Sequence, residues 1–341
     1  MSEGKTVNRR RFINQSLAVV GTAGFAAAAT ASNPTPSAAP VAKPTVKPAG
    51  KPAAELGAAK LPLATLGKAR ISRVLLGGNL ISGFMHCRDL KYVNSLFRAY
   101  ATEEKILETL RVAEENGINT VFETGANFVQ RYNRQRGGHM QFIPHIKVDI
   151  GVSDKALTEH IQQQVDSGAV ALYVWGISAD QLVMNNMVDR LARAVELAKK
   201  HDLPVGVGGH SLQVPMQCEK HGVPCDFYVK TLHRDDYPSA IPKELRKEFI
   251  WYTGGKGYYD NMWCLNPEET VAFMKTVTKP WIAFKVLAAG AYLPRDGFQF
   301  AFKSGADCIA VGMLDFQIKA NCELADQLIH RNQKRARPWC A

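Results

Sequence analysis

The chain has 341 residues, a formal net charge of +11, and 46% hydrophobic against 21% charged residues. That balance belongs to a soluble globular protein with one large domain or two small ones. About half of the net positive charge lies in the first sixty residues, and the remainder forms no basic stripe interleaved with aromatics, so the composition offers no nucleic-acid partner.

The N-terminus reads Asn8-Arg9-Arg10-Arg11-Phe12-Ile13, two arginines followed by any residue, Phe and an aliphatic. A mildly apolar run over 17–29 follows, and Ala29-Thr30-Ala31 supplies the small-x-small pattern of a cleavage site. Residues 1–31 are therefore expected to be a twin-arginine signal peptide, handled by the twin-arginine export machinery and directing the folded protein to the periplasm or outside the cell. The run is too short and too rich in Gly and Ala for a stable membrane anchor. Residues 32–60 are Pro, Ala and Lys with few large apolar side chains, which is the composition of an extended linker.

From 61 to 341 the pattern alternates strand and helix. Apolar, β-branched runs at 71–76, 120–122, 142–148, 169–174, 203–207, 225–232, 280–287 and 307–311 are eight short strands. Between them, helical periodicity marks 102–116, 154–167 and 181–200. The strands read as buried on both faces, as parallel strands are. Eight βα units predict an α/β fold of the (β/α)₈ TIM-barrel type over 61–341. An open doubly wound sheet is the alternative, but Gly77-Gly78-Asn79 after the first strand lacks the GxGxxG spacing. The seven cysteines are scattered, which is no disulfide scaffold; mostly free core thiols are expected.

A (β/α)₈ barrel carries its chemistry at the C-terminal ends of its strands. Those positions hold Asn79, Glu123, Lys147, Asp149, Trp175, His210, Lys230, His233 and Lys285. Charges converging on one face without mutual pairing are costly to bury, so the cluster predicts a site. Glu123, Lys147, His210 and His233 are the candidate catalytic residues, with Lys147 expected to pair with Glu123 on the neighbouring strand. Gly208-Gly209 before His210 is expected to allow close approach of a ligand. Asn127, Trp175 and, in the Gly- and aromatic-rich segment 251–263, Tyr258 and Asp260 are the candidate substrate contacts. Asn79, Lys285, Gly290 and Gly312 are the candidate cofactor contacts, the glycines because barrels often bind phosphate with backbone N–H groups there. Cys218, His221 and Cys225 match no strong zinc spacing.

The run 66–79, Leu-Gly-Lys-Ala-Arg-Ile-Ser-Arg-Val-Leu-Leu-Gly-Gly-Asn, resembles the opening of the aldo/keto reductases. Glu123-Thr124-Gly125-Ala126-Asn127-Phe128 stands where that family has Asp-Thr-Ala-x-x-Tyr, Lys147 where it has a strand lysine, and Trp175 where it has a histidine. The resemblance covers about 61–211. It implies a (β/α)₈ barrel, NADP as cofactor and carbonyl reduction, with a tyrosine as proton donor tuned by Lys and Asp. Here Glu123 replaces the Asp and Phe128 the Tyr. Three functions follow as expectations. The first is an exported oxidoreductase acting on a small carbonyl or sugar with a nicotinamide cofactor. The second is a non-redox carbohydrate lyase, epimerase or isomerase in which Glu123, His210 and His233 do acid–base work, with a divalent metal as a possible aid. The third is a binding protein on the same scaffold.

Overall fold

The computed structural model describes residues 61–87, 90–246 and 262–341. The signal peptide and linker expected over 1–60 lie outside the described residues, as do Tyr258 and Asp260.

The chain enters as a β-hairpin, β1 (Leu63–Leu66) and β2 (Ala69–Ser72), antiparallel with Leu66 opposite Ala69. The two-residue turn is made by Gly67, whose φ of 54° suits glycine, and Lys68. Eight strands then close into a parallel barrel: β3 (Val74–Gly77), β4 (Thr120–Glu123), β5 (Gln141–Ile146), β6 (Leu172–Val174), β7 (Val205–Gly209), β8 (Phe227–Thr231), β9 (Trp281–Phe284) and β10 (Cys308–Val311). Closure is made by β10 on β3, with Ile309 opposite Val74 and Val311 opposite Leu76. The helices are α1 (Gly78–Ile81), α2 (Lys91–Tyr100), α3 (Glu103–Glu115), α4 (Ala126–Arg136), α5 (Asp154–Asp166), α6 (Gly176–Met184), α7 (Val188–Lys199), α8 (Gln213–Lys220), α9 (Pro267–Met274), α10 (Pro294–Lys303) and α11 (Asp315–Arg331). Both faces of each barrel strand are covered, which is why the strands lack polar alternation. The expected α/β class and (β/α)₈ architecture are what the structure shows.

Two segments divide where the periodicity reads as continuous. The first expected strand, 71–76, is the end of β2 and then β3, separated at Arg73. The expected helix 181–200 is the end of α6 and then α7; Asn186 breaks it in the left-handed region at φ 57°, a conformation asparagine tolerates better than most residues.

The core has two layers. One packs the outer strand faces against the helices, with Leu107, Leu110, Val121, Leu191, Phe298 and Phe302 among its members. The other fills the barrel: Phe122, Ile143, Tyr173, Phe227, Val229 and Ile282, closed at the N-terminal end by Ala64, Leu66 and Ile71 of the hairpin. Gly77 and Gly78 serve this packing. A Cβ on Gly78 would lie 1.9 Å from the Thr124 carbonyl oxygen, and one on Gly77 would lie 2.8 Å from the Gly312 nitrogen.

At the N-terminal rim a single buried carboxylate ties the last strands to the C-terminal segment. Asp307 Oδ2 accepts from the Trp281 backbone N–H and from Arg337 Nη2, each at 2.9 Å, and Oδ1 accepts from the Cys340 N–H at 2.8 Å and from Arg335 at 3.4 Å. The Trp339 ring lies between the guanidinium groups of Arg73 and Arg335, 4.1 and 3.6 Å from its centroid. Burial pulls Arg335 down to about 10. Removing the carboxylate would strand two buried guanidinium groups. Asp307→Ala is expected to cost about 3–5 kcal/mol of stability in urea unfolding, and Asp307→Asn less, because the amide oxygen still accepts one of the two backbone hydrogen bonds.

Candidate functional site

A cavity of about 200 Å³ opens at the C-terminal rim of the barrel. It is lined by residues from six of the eight barrel strands, β3 to β7 and β9, or the loops that follow them: Asn79, Phe84 and His86, then Glu123 and Thr124, His145, Tyr173 with Trp175, Gly176 and Ile177, His210, and finally Phe284 at the end of β9 and Lys285 just after it. Among the expected residues, Asn79, Glu123, Trp175, His210 and Lys285 lie together here.

Glu123 ends β4 at φ 82°, and Lys285 follows β9 at φ 58°. Both are non-glycine residues in the left-handed region, a conformation that persists where surrounding structure enforces it and that is enriched at functional sites. The Glu123 carboxylate accepts from the Trp175 indole N–H at 3.0 Å and is hydrogen-bonded by the buried Tyr173 hydroxyl. Burial, and then the Glu123 charge, push the Tyr173 phenol well above its ordinary value. His145 stacks on Trp175 with ring centroids 5.0 Å apart, and its Nδ1–H donates to the Glu123 carbonyl at 3.2 Å. Burial holds His145 below the usual histidine range, against the Glu123 charge that pulls it up.

His210 is fixed by Asp180, one turn into α6. Both side chains are buried. His210 Nδ1–H donates to Asp180 Oδ2 at 2.7 Å, and Asp180 also accepts from the backbone N–H groups of His210 and Ser211, each at 3.0 Å. Burial lowers the His210 pKa, and Lys285 and Lys230 lower it further, while Asp180 opposes them. The ring is therefore neutral at pH 7, with Nδ1 protonated toward Asp180. Gly176 leaves room for it, since a Cβ there would sit 3.2 Å from His210 Cε1. Gly208 and Gly209 let β7 pack closely on Gly176 and Val214.

Lys285 Nζ lies 2.8 Å from His86 Nε2 and 3.9 Å above the Trp263 ring. Lys230 is buried and donates to the Thr231 carbonyl and hydroxyl at 3.0 and 2.9 Å.

The other expected residues stand elsewhere. Lys147 does not pair with Glu123. It follows the end of β5, is exposed, and meets Asp149 at 3.0 Å. Residues 145 and 147 share the strand's period of two, but β5 stops at Ile146, so His145 takes the inward place at the rim. His233 is a connector: its Nδ1–H donates to the Arg234 carbonyl at 2.7 Å, and Nε2 accepts from the Trp263 and Cys264 N–H groups, both at 2.9 Å. Burial lowers its pKa to about 4, against the hydrogen bond to the Arg234 carbonyl, which raises it. Asn127 is exposed on α4, and Phe128, also on α4, packs against the helix-side core. Gly290 is exposed and its N–H donates to the Leu287 carbonyl at 3.0 Å; Gly312 is exposed beside Leu80. All seven cysteines are free thiols, five of them buried. Among the described residues no three His, Cys, Asp or Glu side chains converge to hold a metal ion, and no helix is long and apolar enough to cross a membrane. Sequence reasoning missed His86, His145, Tyr173 and Asp180. Only Asp180 carried a usable signal, four residues beyond Gly176 on a helix that starts at a strand end.

No protein-family model matches the chain, and no curated protein does. Among solved structures, an aldo-keto reductase from Pseudomonas aeruginosa superposes with a TM-score of 0.51 at 14% identity, covering 78% of this chain and 95% of that one. A truncated 3-deoxy-D-arabino-heptulosonate 7-phosphate synthase from Thermotoga maritima gives 0.42 at 10% identity, over 81% and 92%. The neighbours are TIM-barrel enzymes, and at this identity the likeness establishes the fold alone.

The two displaced residues make a test. Lys147→Ala is expected to change stability by no more than about 0.5 kcal/mol. For His233 the sign follows from its depressed pKa. As pH falls below 6.5 the unfolded chain takes up a proton that the folded ring refuses until about 4, so stability is lost across that window. Denaturant titrations at several pH values should show that slope, and a His233→Asn variant, though less stable, should lose part of it.

Proposed function

We propose that the chain is an enzyme that moves a proton on a small hydroxylated substrate, as a lyase, epimerase or isomerase does, with His210 as the general base and acid. The observation that carries this reading is the buried Asp180–His210 pair at a cavity on the catalytic end of a (β/α)₈ barrel, with the Glu123 carboxylate and the Lys285 ammonium in the same lining. Neutral His210 carries its proton on Nδ1 toward Asp180, so Nε2 is the basic nitrogen that takes up a proton. When Nε2 takes a proton from the substrate, Asp180 stabilises the imidazolium that forms, and the same proton returns to the neighbouring atom or to the leaving group. Glu123, held by Trp175 and Tyr173, accepts from a substrate hydroxyl and orients it. Phe84, Phe284 and Trp175 supply the apolar walls on which a sugar ring packs.

The hydride-transfer reading implied by the aldo/keto reductase resemblance is the alternative. Of the residues expected to hold a nicotinamide nucleotide, Asn79 and Lys285 line the cavity, while Gly290 and Gly312 do not, and Lys147 and Phe128 stand outside it. That set does not converge, and the proton transfer needs none of it. Export through the twin-arginine pathway is retained as part of the proposal; it rests on residues 1–31 alone.

Two measurements test the reading. Proton–deuterium exchange at the substrate carbon, screened over small sugars and sugar acids, should be lost by at least about 10²-fold in His210→Asn and in Asp180→Asn. In the parent enzyme the rate should fall as the pH drops below the ordinary histidine range, where His210 becomes protonated. Exchange unaffected by either substitution would overturn the assignment. Separately, protein purified in mature form and denatured should release no stoichiometric nicotinamide nucleotide by mass spectrometry. Finding one would establish the oxidoreductase reading instead.

A further inference from the structure

The cavity is electrically divided, and the barrel topology does the dividing. β4, β5 and β6 bring Glu123, His145, Tyr173 and Trp175 to one half of the rim. β7, β8 and β9 bring His210, Lys230 and Lys285 to the other, and the loop after α1 adds His86, 2.8 Å from Lys285 Nζ. A carboxylate thus stands across the cavity from two ammonium groups, one of them lining it.

We infer that the substrate of this site is a small hydroxylated carboxylic acid, bound with its carboxylate against Lys285 and His86 and its hydroxyls toward Glu123. The inference rests on the cavity being the substrate site proposed above and goes beyond it by naming the substrate class. Lys285 is held for such a role. Its backbone is forced to φ 58°, and its ammonium lies against the face of Trp263 and beside His86, which keeps the charge at the rim. His86 Nε2 accepts from the Lys285 ammonium, which fixes the direction of that charge at the rim. A carboxylate is favoured over a phosphate ester because one rim lysine matches a single negative charge, and because the loop after β9 does not present a glycine N–H: that of Gly290 is engaged by the Leu287 carbonyl. The cavity volume of about 200 Å³ suits one small unit rather than a chain. The arrangement also couples binding to chemistry. Lys285 is among the charges that disfavour protonation of His210, and a bound carboxylate offsets part of that effect where the proton must be received.

The test is calorimetric titration of the full protein with hydroxycarboxylates of two to six carbons, each paired with its neutral alcohol or sugar counterpart and, for the sugars, with the phosphate ester. At least one acid is expected to bind about 10- to 100-fold more tightly than its neutral partner, which is what a charge-assisted hydrogen bond contributes. Lys285→Gln should abolish that preference and Lys285→Arg should keep most of it, with folding of both checked by circular dichroism. His210→Asn should keep the preference while losing proton exchange, so the substrate class and the acid–base role fail independently. A panel in which no acid exceeds its neutral partner, a phosphate ester that outcompetes the acid, or a preference unchanged in Lys285→Gln would each overturn the inference.

Discussion

Everything at the rim depends on closure of the barrel between β10 and β3. The eight strands are three to six residues long, and their register is parallel throughout, so closure gathers eight strand ends into one small ring. Side chains more than two hundred residues apart in the chain then share one cavity, as Asn79 and Lys285 do. The contacts that hold closure lie at the opposite end. Asp307 joins the start of β9 to the residues just before β10 and to Arg335, Arg337 and Cys340, while the hairpin fills the barrel floor. Stability and chemistry are thus carried at separate ends of the strands, the usual division in this architecture.

The rim itself shows where packing has been set aside for polarity. Glu123 and Lys285 occupy left-handed backbone conformations that cost energy for residues with a Cβ, and both present charge to the same cavity. The buried groups around them are paired in ways that fix protonation. Asp180 takes three hydrogen bonds and holds one tautomer of His210. The Glu123 carbonyl and carboxylate hold His145, Trp175 and Tyr173. His233, by contrast, uses both nitrogens to tie the loop at Trp263 to the end of β8, which explains why a histidine at a strand end can be wholly structural.

The comparison of Lys147 with His145 shows how residue patterns mislead. Both lie on the same strand face, and a lysine inside an apolar run invites a catalytic role. The strand ends two residues before the apolar run does, so the lysine passes the rim into solvent and finds Asp149. Phe128 shows a related error. Its spacing from Glu123 matches a familiar arrangement, but α4 begins at Ala126 and turns that side chain onto the helix-side core. Spacing along the chain locates a residue on an element; it does not say where the element ends or which way its first turn faces.

What the sequence by itself determined is the class of fold and the end at which chemistry belongs. Eight buried β-branched runs alternating with helices admit few packings, because both faces of each strand must be covered. Strand ends are then legible as candidate positions, and Glu123, Trp175, His210, Lys285 and Asn79 were found that way. What only the tertiary structure decided is partnership. That Asp180 orients His210, that Tyr173 and Trp175 hold Glu123, and that His86 sits on Lys285 all depend on contacts across the barrel rim. The physical reason is that hydrogen bonds and charge pairs act over a few ångströms in space, and the distances that matter are set by barrel closure and strand length, neither of which a local pattern of residues encodes.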